Sequence, residues 1–138
     1  MKQSSCIMKS INHVNGHSHL IANRYGDVTD WSGRILSKRV FNCLKIGDIV
    51  RVHIDDIQDL SSMAPYFKIV KIKDGTFWGI ALNTYNTLDW MKGINEGDTV
   101  PFRKHNIIEI PITWQSKTQQ RKLERYVLQK GYPVTGCR

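Results

Sequence analysis

The dipeptide Asp74-Gly75, set between the alternating runs 67–73 and 76–82, constrains this chain more than any other feature. A two-residue Asp-Gly loop favours a type I′ turn, whose central residues both need positive φ, and that turn fixes the register of the strands it joins. The pairing predicted sets Lys73 opposite Thr76, Lys71 opposite Trp78 and Ile69 opposite Ile80. One face of the hairpin then carries Lys73, Lys71, Trp78 and Ile80. The other carries Val70, Ile72 and Phe77 and is the better core.

A second pattern brackets the hairpin. Gly47-Asp48-Ile49-Val50-Arg51-Val52 and Gly97-Asp98-Thr99-Val100-Pro101-Phe102 repeat one another fifty residues apart, and an Ile stands ten residues after each Gly (Ile57, Ile107). Each reads as a turn that launches a strand: Gly supplies the unusual backbone angle and Asp caps the turn with its side chain. Two such units predict a mainly antiparallel α+β fold. The form expected is a small SH3-like or Tudor-like barrel, or a strongly bent sheet, with an amphipathic helix at the C-terminus. That helix is predicted from Ser116, an N-cap residue, to Gly131, with Pro133 beyond it. On it Leu123, Tyr126 and Val127 share the apolar face, while Lys117, Arg121, Lys122 and Arg125 form a basic stripe opposite. Residues 35–41 and 106–112 read as further strands and 88–92 as one helical turn. The chain divides into an irregular basic segment (1–34), a β core (35–112) and a helix with tail (113–138), all within one domain.

Charge is segregated along these parts. Residues 1–45 carry seven Lys or Arg against two Asp, residues 46–112 seven against nine Asp or Glu, and residues 113–138 six against one, which sums to +8. Basic flanks on a nearly neutral body are the footprint of a chain that meets a polyanion or an acidic protein surface. No stretch reaches the roughly 18–20 apolar residues of a membrane span, and the first ten residues lack the apolar core of a secretory signal. A cytoplasmic protein with no membrane partner is expected. Cys6, Cys43 and Cys137 suit neither a disulfide framework nor a CxxC metal knuckle and are expected to be free thiols.

His13, His17 and His19 cluster near Cys6, and His is a common metal ligand. A structural zinc site needs four ligands on a preformed turn, and no second Cys or His pair stands at finger spacing, so loop histidines are the favoured reading and no cofactor is expected. His53 and His105, beside Arg51, Arg103 and Lys104, supply the residue types of a metal-independent phosphoesterase. Polar strand positions explain them as well. No Ser-His-Asp spacing, P-loop, GxGxxG or HExxH occurs, and Asp55, Asp56 and Asp59 lack the Gly and final Glu of a calcium loop.

The nucleic-acid candidates are Trp78, on which a base can stack, with Lys71 and Lys73 to hold phosphates. The competing reading packs Trp78 under the helix or the N-terminal segment, with lysine stems over its edge. The stripe Lys117, Arg121, Lys122 and Arg125 suits phosphates in general or plain solvation. Trp31 and Trp114 are alternative anchors for a protein partner.

Over residues 46–112 the order of features resembles an uncharacterised bacterial small β-domain family, a domain of unknown function. The likeness rests on the aromatic-Gly segment 77–83 and the Gly-Asp-x-Val-x-Phe strand at 97–102, and departs at 83–86, where Asn-Thr-Tyr-Asn replaces an acidic or proline turn. The resemblance implies a fold class and carries over no functional residue. The reading that emerges is a non-catalytic binding module for an anionic partner, nucleic acid first. The alternative is an adaptor or inhibitor of the kind phages and mobile elements encode, engaging an acidic host protein. A small ribonuclease stands third.

Overall fold

The computed structural model describes residues 18–20, 23, 26–56, 61–90 and 94–128. Ten strands and one α-helix follow in chain order: β1 (Ser18–Leu20), β2 (Val28–Thr29), β3 (Ile35–Leu36), β4 (Ile49–Val52), β5 (Ile54–Asp56), β6 (Ser61–Met63), β7 (Tyr66–Lys73), β8 (Thr76–Leu82), β9 (Thr99–Arg103), β10 (Ile107–Glu109) and α1 (Lys117–Glu124). Short 3-10 turns occupy Lys38–Cys43, Thr84–Trp90, Lys104–Asn106 and Ile112–Trp114. Strands β1, β5 and β6 form a three-stranded sheet, and the other seven a mostly antiparallel sheet in the order β3-β2-β10-β4-β7-β8-β9. Its β10/β2 pair is parallel. The fold is therefore α+β, and two of its strands, β1 and β2, lie within residues 1–34. No helix of the described residues is long and apolar enough to cross a membrane.

The Asp74-Gly75 turn forms as its chemistry dictates, with φ +51° and +79°, and pairs Lys73 with Thr76 and Lys71 with Trp78. Beyond these the register slips. Ile69 pairs with Gly79 and Lys68 with Ile80, because a bulge interrupts β7 between Ile69 and Lys71. A bulge moves a strand's following side chains to the opposite face. Ile69 consequently turns inward and is fully buried, and Val70, expected in the core, is more than a third exposed; Ile72 keeps its pairing with Phe77 but is likewise more than a third exposed near the hairpin tip. Only Phe77 of that predicted face is buried.

The two Gly-Asp turns flank the hairpin with nearly the same geometry. Lys45 N–H donates to Asp48 Oδ2 and Asn95 N–H to Asp98 Oδ2, both at 2.9 Å. Gly47 N–H reaches Ile69 O at 2.7 Å, and Gly97 N–H reaches Ala81 O at 2.9 Å. Each turn thus starts a strand, β4 or β9, against one outer side of the hairpin. Ile107 opens β10, while Ile57 lies outside the described residues.

The sheet is strongly bent. Arg103 pairs with Thr76 at the hairpin tip, and Ile107 pairs with Val52, whose N–H meets Pro65 O at the far end of β7. In a flat sheet these points would lie about 25 Å apart along the strands and about 19 Å apart across them. The chain between Arg103 and Ile107 spans at most about 14 Å. Only a curled sheet brings them together, and the bulge in β7 beside Gly79 and the irregularity between β10 and β4 both favour the bend. A β carbon on Gly79 would sit 2.7 Å from Phe67 Cβ and 2.8 Å from Phe102 Cε2, so glycine there lets the two phenylalanines close across the backbone. Phe67, Phe77 and Phe102 pack ring to ring at 5.6–5.9 Å in a core completed by Val50, Val52, Val100, Ile107 and Leu123.

The bent sheet does not close into a barrel. Edge β9 does not meet edge β3 among the described residues, and the backbone of β3 is already engaged. Leu128 N–H donates to Ile35 O at 2.9 Å, Ser37 N–H donates to Tyr126 O at 2.7 Å, and Leu36 bridges Val127. The same pairing shortens the helix. Ser116 caps α1, its Oγ accepting from Gln119 N–H, but α1 ends at Glu124 rather than near Gly131, because the chain turns at Arg125 and Tyr126 and its backbone from Tyr126 to Leu128 bonds β3. The strand expected over 35–41 likewise ends at Leu36, where Ser37 caps a 3-10 turn. The strand expected over 106–112 is reduced to β10. The 84–90 segment is two short 3-10 turns joined across a kink at Tyr85 and Asn86, whose backbone is non-helical; residues 91–93 and 129–138 lie outside the described residues.

Candidate nucleic-acid interface

The outer face of the β7–β8 hairpin is basic because inward and outward residues alternate. Phe67 and Ile69 point into the core, so Tyr66 and Lys68 point out. After the bulge Lys71 and Lys73 point out as well, beside Trp78 and Thr76 of β8. Lys68, Lys71 and Lys73 are exposed. Their cross-strand neighbours are Ile80, Trp78 and Thr76 on one side, with Ile49 of β4 beside Lys68. None is a carboxylate, so no cross-strand partner compensates these three like charges. The hairpin pattern in the sequence predicts Lys71 and Lys73 on this face; Lys68 joins them only because of the bulge.

Trp78 is half-buried, and Lys71 Nζ lies 4.7 Å from the centre of its ring. The ammonium lies over one face of the ring, and the indole Nε1 is buried without a hydrogen-bond partner. Trp78 thus serves as a cation–π seat for Lys71.

A second basic surface lies at the hairpin tip, where the turn Lys104–Asn106 meets the turn Lys38–Cys43. A groove of about 460 Å³ runs past Ile72, Phe77, Arg103, Lys104 and His105. Across Phe41 it adjoins a smaller cleft of about 280 Å³ that includes Lys38. Among the described residues neither lining contains Asp or Glu. The exposed acidic residues Asp89 and Glu96 lie beyond the opposite ends of β8 and β9, while exposed Asp74 sits in the hairpin turn at this tip. Phe41 carries no signal in the sequence, where it reads as the end of a strand.

The helix forms a third basic patch. Lys117, Arg121 and Arg125 are exposed, and Leu123 is fully buried. The neighbouring Lys45 ammonium holds the Lys122 ammonium below the usual lysine range through its like charge, with Arg125 adding to the effect. Clustered cations of this kind are relieved by a polyanion.

The two candidate catalytic histidines do not share a cleft. The backbone N–H of His53 meets Asn106 O at 3.3 Å, which brings His53 near His105 in the chain path. His53 is nevertheless buried and His105 exposed in the groove, whereas a general acid and base must face one substrate. His13 and His17 lie outside the described residues, as do Cys6 and Cys137, and only the backbone of His19, paired with Asp55 in β1, is described. Cys43 is a free, half-buried thiol. Among the described residues no His, Cys, Asp or Glu cluster suits a metal ion.

Trp31 and Trp114 come together at the Tyr66 end of the hairpin face, their rings 5.4 Å apart, with Trp114 also 4.6 Å from Tyr66. Arg51 lies over the Tyr66 ring at 5.1 Å and pairs with Glu109 at 3.2 Å. Tyr66 O–H donates to the other carboxylate oxygen of Glu109 at 3.2 Å. Burial raises the Glu109 pKa above the ordinary carboxylate value, an effect that Arg51 opposes.

No protein-family model, curated protein or solved structure matches this chain.

Proposed function

We propose that this chain is a non-catalytic binding module for an anionic polymer, with nucleic acid as the partner. The observation that carries the reading is the uncompensated row Lys68, Lys71 and Lys73 on the outer face of β7. Surface charges normally alternate in sign; three cations on one strand with no carboxylate across from them repel one another unless a polyanion meets them. The acid-free groove at Arg103, Lys104 and His105 and the helix patch Lys117, Arg121, Lys122 and Arg125 extend the same chemistry. The strand order β10-β4-β7-β8-β9, with a 3-10 turn between β9 and β10, supports reading this part as an opened SH3-like unit.

The test is a fluorescence-anisotropy titration of a labelled oligonucleotide against salt. Replacing Lys68, Lys71 and Lys73 together with Ala is expected to weaken binding for every sequence, and to flatten the log-log salt slope by about 0.7–0.9 for each phosphate no longer neutralised. Wild-type protein that binds no nucleic acid tighter than roughly millimolar at about 50 mM salt overturns the reading, since nonspecific binders reach about 0.1 mM to 1 μM even at physiological salt. An acidic protein surface then becomes the partner.

A further inference from the structure

We propose that the stacked pair Trp31–Tyr85 is a base-stacking site, and that the ligand of this module is therefore single-stranded nucleic acid rather than duplex. The inference rests on the nucleic-acid reading above and deepens it. Trp31 is 51% exposed and Tyr85 67%, yet the two rings lie nearly parallel, 14° apart with centres 5.8 Å from one another. They do not float. Trp114 sits against both, 5.4 Å from Trp31 and 6.3 Å from Tyr85, and itself rests on buried Tyr66.

Two loops are built to hold this arrangement. Trp31 follows Asp30, a buried carboxylate that accepts the N–H groups of Ser32 and Arg34 at 3.0 and 2.8 Å. The Arg34 guanidinium ties Asp30 at 2.7 Å to Glu124 of α1 at 2.8 Å. Tyr85 and Asn86 both adopt left-handed backbone, φ +57° and +58°; Asn tolerates that region, whereas it disfavours the Tyr85 side chain. Asn83 maintains it, its Oδ1 accepting Leu88 N–H at 2.8 Å and its carbonyl accepting Asn86 N–H at 3.1 Å. Strained backbone that presents an exposed ring is spent on something other than stability.

Continuity with the lysine row identifies the occupant. Tyr66, which carries the aromatic pedestal, begins the strand whose outward residues are Lys68, Lys71 and Lys73. Tyr66 and the last lysine, Lys73, stand at the two ends of that strand, which would span about 23 Å if straight. The carboxylate beneath the pedestal, Glu109, is neutralised by Arg51. A ligand running along this face meets cations at intervals and an open aromatic surface at the end. A polynucleotide with unpaired bases has both complements; a duplex keeps its bases stacked on each other and offers only phosphates.

The experiment measures binding of labelled oligo(dT), oligo(U) and a duplex of equal length to wild type, Trp31→Ala, Trp31→Phe and Tyr85→Gly, with the triple lysine variant alongside. Single strands are expected to bind wild type at least tenfold more tightly than duplex, and Trp31→Ala to lose about tenfold on single strands only, with the salt slope unchanged. Trp31→Phe keeps most of the affinity. Tyr85→Gly removes a ring and relieves left-handed strain at once, so its thermal midpoint stays level or rises while single-strand affinity falls, a divergence that a merely structural tyrosine would not produce. Comparison of oligo(dT) with oligo(U) assigns DNA or RNA. Equal binding of duplex and single strand, or ring variants that bind like wild type while the triple lysine variant is weakened, overturns the stacking site and leaves the module standing. Wild type that binds neither ligand overturns both, and the aromatic pair then belongs to a protein interface.

Discussion

Replacing Gly79 with Ala tests the geometry that creates the lysine row. Gly79 pairs with Ile69 at the bulge, and its backbone is sandwiched between two aromatic residues. The added methyl would meet Phe67 Cβ at 2.7 Å and Phe102 Cε2 and Cζ at 2.8 and 3.3 Å. The end of the Phe102 ring can retreat by rotating. Phe67 Cβ cannot, because it moves only with the backbone of β7. Overpacking of this kind costs about 1–3 kcal/mol, and the fixed contact places Gly79→Ala at the upper end of that range, about 2–3 kcal/mol. For a chain of this size that is a fall of about 8–12 °C in thermal midpoint. The assay is paired urea and thermal unfolding, with Phe102→Leu and the double variant completing a cycle. The double variant should recover part of the loss, since only the Phe102 contact is relieved. A single-variant loss below about 0.5 kcal/mol, less than the low end for overpacking, would refute the close approach and with it the reason given for the bend.

Two further outcomes follow from burial. Leu123→Ala, which empties a fully buried position on α1, is expected to cost about 2–5 kcal/mol, whereas the exposed Arg121→Ala changes stability by less than about 0.5 kcal/mol; equal melting of the two variants would mean that α1 is not docked. Burial raises the pKa of Asp48 above its ordinary 3.8, outweighing the hydrogen bonds from Lys45 and Gln119 that favour the anion. The folded state therefore holds that proton more tightly than the unfolded chain, and Asp48 contributes most favourably below its unfolded value, losing that contribution as pH rises through the raised one. In pH-dependent urea unfolding, the stability difference between wild type and Asp48→Asn should move in favour of wild type as pH falls from 7 towards 4; a difference independent of pH contradicts the assignment.

Local chemistry determined the turns. Asp74-Gly75 and the two Gly-Asp units specify backbone conformation within a few residues, and each formed with the positive φ its glycine permits. Ser116 likewise capped a helix where expected. What depended on distant partners was not legible. The slip at Ile69 arises where Phe67, Gly79 and Phe102 meet, and it exchanged Val70 for Ile69 in the core. Helix α1 stopped early because Tyr126 to Leu128 pair with β3, a strand some ninety residues away in sequence. The candidate site divides in the same way. Lys71 opposite Trp78 follows from a two-residue turn, but the covering of Trp78 by Lys71, the addition of Lys68 to the row and the stacking of Trp31 on Tyr85 are tertiary. Periodicity and turn residues encode conformations a few residues long; which side chains share a surface is decided by strands and loops that only the folded chain brings together.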